Sequence, residues 1–270
     1  MTTAPQLTFL EHAVLRAARL IPIKTPKSMS DPEGYARDIE QRAEKLYSSL
    51  YSQYADFKGS RIVEIGGTAA AARYYLSKSP SKYYLVNLGF DEQKRAVLRQ
   101  WEDAGVVEYA QSTDTSIPLS DASVDIVISE NSFEHFARYE SMVAEIQRIL
   151  RPGGILITKF SPLYYSPFGA HLYEAIKLPW LTLFCKEKSV EKMMRYELLR
   201  LGFPEVFEHQ WEQYLSLNRL RPSQFVEPFR SDAWTATSVT SFPFSWSLKA
   251  IEPVRTLLTH GLTIVTRTKG

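Results

Sequence analysis

Two histidines stand where an imidazole could take part in proton transfer. His135 ends the polar run 129–135, and His171 ends the short run Gly169–His171. An imidazole titrates near neutral pH, so either side chain could remove a proton from a hydroxyl group that is about to react. A single histidine can equally be structural, and both interpretations stay open for His135. The other histidines lack such a polar context: His12, His209 and His260.

A glycine turn follows the first strongly apolar run of the chain. The β-branched run Ile62–Ile65 predicts a short buried strand, which Gly66 and Gly67 end. A run of alanines then opens a predicted helix. Strand, glycine turn and helix together let a backbone approach a nucleotide closely. The dinucleotide fingerprint would place glycine where Thr68 and Ala70 stand, so a purely structural turn is the alternative.

Six further apolar runs alternate with helical segments and indicate the fold class. They predict strands at Tyr83–Leu88, Val106–Tyr109, Val124–Ser129, Ile155–Phe160, Ala236–Phe242 and Gly261–Arg267. Strands that alternate with helices are typical of an open α/β sheet with helices on both faces. We therefore expect a Rossmann-like, doubly wound sheet of seven strands. Helices are predicted to begin at Ser30–Pro32, to run over Asp91–Ala104 with Asp91 as the cap, and to run over Pro222–Ala233.

Polar side chains follow the predicted strands at their carboxyl ends. Asn87 lies at the end of the second strand, Thr113 and Asp114 follow the third, and Ser129 and Glu130 end the fourth. The carboxyl ends of the strands form the ligand-binding edge of an open α/β sheet. At Asn87 an amide oxygen could accept one ribose hydrogen bond, more weakly than the usual carboxylate. Asp114 could bond an adenine amino group or cap a turn.

Three parts of the chain differ in character. Residues 1–58 predict a helical collar, which either packs on the sheet or closes over a ligand pocket. Residues 59–160 and 222–270 form the predicted core. Residues 161–221 predict an irregular, aromatic-rich insertion after the fifth strand, a position that suits a cap over a substrate pocket.

Composition excludes several classes of protein. The chain has 270 residues, 44% of them hydrophobic and 23% charged, which is typical of a soluble globular protein. A net charge of +2 is too small to indicate a nucleic-acid or anionic-membrane partner, and no apolar run is long enough to span a membrane. The single cysteine, Cys185, excludes an internal disulfide framework. No ligand cluster predicts a metal site, and no signal peptide is evident, so a cytoplasmic location is expected.

Five stretches in this order carry a family resemblance: Val63–Gly67, Ile117–Asp125, Ser129–His135, Arg151–Gly154 and the ending that begins at Leu217. Their order resembles that of class I S-adenosylmethionine-dependent methyltransferases with a type 11 methyltransferase domain. The first four stretches span about residues 60–160. The run Ser161–Leu172 resembles an insertion found in some bacterial members.

The resemblance implies S-adenosylmethionine as the cofactor and a set of residues that bind it. These residues would contact the methionine, ribose and adenine parts of the cofactor: Glu64, Gly66, Gly67, Asn87, Thr113, Asp114, Ser129 and Glu130. Glu64 would orient the methionine end, directly or through water, and Asn87 would hold the ribose. Ser129 and Glu130 would lie near the methionine ammonium group.

The resemblance also implies an enzyme that methylates a small molecule, on an oxygen of a secondary metabolite or a sugar. An oxygen acceptor must lose its proton, and His171 and His135 are the candidate bases. Two alternatives remain: other chemistry on the same fold, or a non-catalytic protein with a degenerate cofactor site. The degenerate cofactor site is favoured by three departures from the family pattern, at Thr68, Ala70 and Asn87. The N-terminal helices could mediate a homodimer.

Overall fold

The chain folds around a mixed sheet of seven strands. The computed structural model describes residues 5–21, 32–90, 95–172, 175–243 and 247–270. The strands are β1 Arg61–Ile65, β2 Lys82–Asn87, β3 Val107–Gln111, β4 Val124–Glu130, β5 Leu150–Phe160, β6 Trp234–Phe242 and β7 Gly261–Thr268. Their order in the sheet is β3-β2-β1-β4-β5-β7-β6. All seven predicted strands are confirmed, and so is the Rossmann-like α/β class.

The first five strands are parallel, and this places the predicted site residues at one edge. β7 runs antiparallel to both β5 and β6. Ile65, the last residue of β1, pairs with Val86 of β2 on one side and with Ser129 of β4 on the other. Asn87 pairs with Gln111 of β3. The glycine turn and the polar residues after β2, β3 and β4 therefore lie side by side.

Helices cover both faces of the sheet. They are α1 Phe9–Ala18, α2 Pro32–Leu46, α3 Ala69–Leu76, α4 Arg99–Asp103, α5 Tyr139–Ile149, α6 Leu181–Phe184, α7 Glu187–Leu201, α8 Phe207–Ser216, α9 Pro222–Val226 and α10 Val254–Leu258. Residues of α2 and α3 pack with Ile62 on one face of the sheet, whereas the apolar stripe of α5 packs with Val63 on the other. Burial on both faces explains why the central strands are almost wholly apolar.

Some predicted boundaries are wrong. The helix predicted for Pro222–Ala233 ends at Val226 and continues only as the 3₁₀ turn Glu227–Arg230, because Pro228 cannot donate a helical hydrogen bond. The predicted fifth strand, Ile155–Phe160, begins earlier, at Leu150, so the run Arg151–Gly154 lies inside β5. There it bulges out between two residues of that strand that pair with β4.

The insertion is helical from Leu181 onward, whereas its described residues between 161 and 180 form turns and irregular backbone. The buried residues of α7 recur at helical spacing and form a core with Phe207 and Tyr214 of α8: Val190, Met193, Met194 and Leu198. Leu15 and Ala18 of α1 join this core, so the first helix packs on the insertion. Arg19, just after α1, makes an ion pair with Glu197, which is almost fully buried.

Some sequence predictions lie outside the described residues. These are the helix start at Ser30 and Asp31, and the cap at Asp91. Among the helices in the described ranges, none has the length and apolar character needed to cross a membrane.

Candidate functional site

The glycine turn after β1 is shaped by two buried polar side chains. Gly66 has a φ of +73°, and a Cβ there would lie 1.9 Å from Ser132 Oγ. A Cβ on Gly67 would lie 2.1 Å from Cδ of Glu64. Real Cβ contacts are never this short, so any larger residue would displace Ser132 or Glu64. Glycine at both positions therefore lets these two side chains pack against the turn.

Thr68 has a structural task that accounts for its departure from the fingerprint. Its Oγ1 accepts a hydrogen bond of 3.2 Å from the backbone N–H of Ala71, which caps α3. A threonine cap satisfies one of the free N–H groups at the start of a helix. The turn thus keeps two glycines for close packing and uses the third position to begin the helix.

Glu64 is buried beneath this turn. It is 5% exposed, and its Oε2 accepts a hydrogen bond of 2.8 Å from Tyr83 Oη. Burial raises the pKa of Glu64 to about 8; the Tyr83 hydrogen bond acts to lower the pKa, and the charge of Glu130 to raise it. The Glu64 side chain lies under the backbone of Gly67 and outside the lining of the two cavities described next.

A cavity of about 430 Å³ opens at the carboxyl ends of the strands, and we call it the strand-end cavity. It brings together Gly66, Asn87, Thr113, Asp114 and His135, which are five of the predicted site residues. The volume lies in the range that holds one cofactor-sized ligand. The sheet edge therefore gathers residues that are far apart in sequence into one pocket.

Several residues of this cavity were missed by sequence reasoning. Ser112 and Ser132 belong to polar runs beside the predicted residues, which was the available signal. Gln213 and Ser216 come from α8 in the insertion. No local pattern marks these two, because only tertiary packing brings α8 over the sheet edge.

A second cavity of about 1050 Å³ lies on the other side of the glycine turn. It shares Asn87 and Gly89 with the strand-end cavity, and Arg37 of α2 and Arg73 of α3 also line it. Asn87 Nδ2 donates a hydrogen bond of 3.4 Å to the carbonyl oxygen of Gly67. This leaves the Asn87 Oδ1 lone pairs to accept from a ligand.

Ser129 and Glu130 line neither of these cavities. Ser129 is fully buried, and its Oγ donates a hydrogen bond of 3.0 Å to the carbonyl oxygen of Ile65. Ser132 Oγ donates to the same oxygen at 3.3 Å. Burial raises the pKa of Glu130. The two serines join the end of β1 to the end of β4 and so hold the turn in place.

His135 contacts the insertion through one ring nitrogen. Its Nδ1 lies 2.8 Å from Ser216 Oγ, which is also 3.0 Å from the carbonyl oxygen of Gln213. A carbonyl oxygen only accepts, so when the Ser216 hydrogen goes to Gln213, the proton between Ser216 and His135 belongs to Nδ1. The lone pair of the neutral ring then lies on Nε2. Burial lowers the pKa of His135 to about 4, so the ring is neutral at pH 7.

His171 stacks on His135 but does not line the strand-end cavity. The ring centroids are 5.2 Å apart at an interplanar angle of 24°. Burial lowers the pKa of His171 to about 4, and His135 and His260 lower it further. Glu134, the residue before His135, is 1% exposed, and burial raises its pKa to about 8. The structure therefore places both candidate bases together, with His135 nearer the ligand space.

Comparisons with known proteins agree with this geometry. Residues 63–158 match the family model described as a methyltransferase domain. The fatty-acid O-methyltransferase of Mycolicibacterium smegmatis is 28% identical over 149 residues, which are 54% of this chain and 51% of that protein. An uncharacterized methyltransferase of Mycobacterium avium is 35% identical over 136 residues, 50% of this chain and 52% of the relative. The chain thus spans about half the length of these curated relatives.

A solved structure shows the same fold. The phosphoethanolamine N-methyltransferase 2 of Haemonchus contortus, in complex with phosphomonomethylethanolamine and S-adenosylhomocysteine, has a TM-score of 0.54 at 14% identity. The match covers 84% of this chain and 53% of that one. At such low identity the likeness supports the fold alone. Residues 63–158 thus match a methyltransferase domain, and the chain has the fold of the class I methyltransferases, enzymes that use S-adenosylmethionine as their cofactor.

Proposed function

We propose that the chain transfers a methyl group from S-adenosylmethionine to a hydroxyl oxygen of a small molecule, a secondary metabolite or a sugar. One observation carries this proposal. His135 lines the strand-end cavity, and its hydrogen bond to Ser216 leaves Nε2 with a free lone pair. A hydroxyl can donate to that nitrogen and lose its proton as the methyl group arrives. The sulfonium is already activated, so the remaining task is alignment.

We assign the cofactor to the strand-end cavity, with its adenine toward Thr113 and Asp114 and its methionine end toward the glycine turn. Asn87 Oδ1 accepts from a ribose hydroxyl, and Thr113 or Asp114 binds the adenine amino group. Gly66 and Gly67 let the backbone approach the methionine end. Glu64 acts from beneath Gly67, while Ser129 and Glu130 stand near the methionine ammonium group and support the turn. The cavity volume of about 430 Å³ and its polar lining support this assignment.

The free lone pair favours one kind of acceptor. The relative from Mycolicibacterium smegmatis is named for a fatty acid, which supports oxygen as the target. A carboxylate, however, brings no proton at pH 7, and its charge would face the lone pair of His135 Nε2. A hydroxyl instead forms a hydrogen bond with that nitrogen. We therefore assign a hydroxyl acceptor, with His135 as the base and His171 stacked behind it.

A second candidate is a non-catalytic protein, or other chemistry, on a degenerate cofactor site. The observation that favours it is the Asn87 side chain, whose nitrogen is already bonded to Gly67 and whose oxygen carries no charge. A neutral acceptor loses the charge-assisted part of the ribose hydrogen bonds, worth about 1 to 2 kcal/mol. The two candidates differ in whether the folded protein still binds S-adenosylhomocysteine, the product that the cofactor leaves after methyl transfer.

Calorimetric titration with S-adenosylhomocysteine, followed by a methyl-transfer assay on a panel of small hydroxyl compounds, tests the proposal. We expect micromolar binding that Glu64→Ala and Asn87→Ala weaken by about tenfold each. His135→Ala should leave that binding unchanged but lower transfer by about 100-fold or more. His12→Ala removes an exposed histidine of α1 and is the matched control.

Each negative result has a separate meaning. Full turnover by His135→Ala would rule that side chain out as the base. Absence of S-adenosylhomocysteine binding by the folded wild-type protein would refute the transferase and favour the degenerate site.

A further inference from the structure

Three metal-ligating side chains converge at the junction of the sheet edge and the insertion. Glu134 and His135 lie on the 3₁₀ turn Phe133–His135 after β4, and His171 comes from the insertion. One carboxylate oxygen and one nitrogen of each ring lie within 4.8 Å of one another. Sequence reasoning found no ligand cluster, because His171 approaches the other two only through the packing of the insertion.

The buried atoms of this cluster are available as ligands. Glu134 is 1% exposed; the backbone N–H groups of Glu134 and Ser161 face its carboxyl group, but among the described residues neither of its oxygens has a hydrogen bond of good geometry. The buried Nε2 of His171 also lacks such a bond. Burial of polar atoms without compensation is costly, and a bound cation is one of the few groups that can offset that cost. The cluster therefore has ligand atoms that a cation can use.

The third ligand is already oriented. His135 Nδ1 lies 2.8 Å from Ser216 Oγ, and with that oxygen as the acceptor the Nε2 lone pair is free. Histidine ligands in metal sites commonly donate their other ring N–H to a neighbouring oxygen, which fixes the tautomer and the ring position. Ser216 provides that oxygen here. His135 also lines the strand-end cavity, so an ion has an entry path.

We propose that Glu134, His135 and His171 form a binding site for a divalent transition metal ion, with zinc as the preferred occupant. Two imidazoles and one carboxylate are a donor set that suits zinc and its neighbours, whereas magnesium and calcium prefer oxygen ligands alone. Ligand atoms around tetrahedral zinc are roughly 3.4 Å apart. The ligand atoms of the cluster lie within 4.8 Å of one another, so the three side chains need to move inward by only about 1 Å to reach this spacing.

The site also bears on the proposed function, and this consequence rests on that function. One lone pair on His135 cannot bind a metal ion and take a proton at once. Zinc at this site therefore inhibits methyl transfer, and chelation relieves the inhibition. Zinc binding itself needs neither the cofactor nor an acceptor, so it can be measured even if the transfer proposal fails.

Zinc titration of the full chain after removal of metal with EDTA tests the site. We expect one zinc ion per chain, bound with a micromolar or lower Kd. Glu134→Gln and His171→Asn should each weaken binding by at least about tenfold. His12→Asn should leave the Kd unchanged, because His12 is an exposed histidine on α1, outside the cluster.

Two readouts keep the outcome clear. Thermal unfolding establishes that each variant is folded, and His171→Asn gives the same test if Glu134→Gln does not fold. Cobalt substitution adds a visible absorption band whose intensity reports tetrahedral nitrogen and oxygen ligation. The proposal is overturned if the wild-type protein binds no stoichiometric zinc, or if the folded variants bind it as tightly as the wild type.

Discussion

Replacement of Glu64 by glutamine should remove a pH dependence from the stability of the native protein. Glu64 is 5% exposed, and burial raises its pKa to about 8 from an ordinary value of 4.5. Below pH 4.5 the carboxyl is protonated in both the native and the unfolded chain, so it adds no pH dependence. Between pH 4.5 and about 8 the unfolded chain releases the proton and the native protein keeps it. The free energy of unfolding therefore falls as pH rises through this window.

The size of the effect follows from the two pKa values. Each pH unit within the window costs the native state about 1.4 kcal/mol. Between pH 5 and pH 8, the wild-type protein should therefore lose about 4 kcal/mol of unfolding free energy relative to Glu64→Gln. Glutamine keeps an oxygen that can accept the hydrogen bond from Tyr83. Any cost of its amide group is the same at every pH and does not affect the comparison.

Urea denaturation at pH 5, 6, 7 and 8 measures this difference. Glu227→Gln is the control, because Glu227 is an exposed carboxyl on a 3₁₀ turn. Its curve should follow that of the wild type. If the unfolding free energies of the wild type and Glu64→Gln run parallel across this range, the buried carboxyl does not titrate as its surroundings predict.

Two further predictions concern the turn and the histidine pair. Gly67→Ala should lower the free energy of unfolding by about 3 kcal/mol, because the new methyl group would overlap the Glu64 carboxyl. In the same urea experiment Gly89→Ala, where an added Cβ meets open space, should change stability little, and equal losses would contradict the steric argument. Ser216→Ala should slow methyl transfer about tenfold without changing S-adenosylhomocysteine affinity, since His135 loses the partner that selects its tautomer. Steady-state kinetics checks this, and an unchanged rate would show that the hydrogen bond does not matter.

The fold could be predicted because it depends on local patterns. Each strand, from β1 at Arg61–Ile65 to β7 at Gly261–Thr268, is an apolar run bounded by polar or turn residues. The buried apolar residues of α5 likewise recur at helical spacing in the sequence. The errors lie where tertiary contacts override local propensity. The apolar residues Phe9 and Leu10 of α1 recur at helical spacing with its buried residues, but they are 91% and 71% exposed.

The site could be predicted only in part. The residues at the strand ends were found because parallel strands bring their carboxyl ends to one edge, whatever the loops between them do. Gly66, Asn87 and Asp114 all line the strand-end cavity for this reason. Gln213 and Ser216 were not found, because α8 reaches the cavity by packing on the insertion core. Sequence distance carries no information about such a contact.

The sequence by itself determined the order of strands and helices and the sheet edge at which the polar residues gather. Those features follow from the periodicity of apolar residues and from turns that only glycine or proline can form. The tertiary structure alone decided how the polar side chains are arranged. It placed Glu64 beneath Gly67, set Ser216 against Nδ1 of His135, and brought His171 to Glu134. These relations depend on burial and on distances between side chains from separate elements, which the order of residues in one chain does not encode.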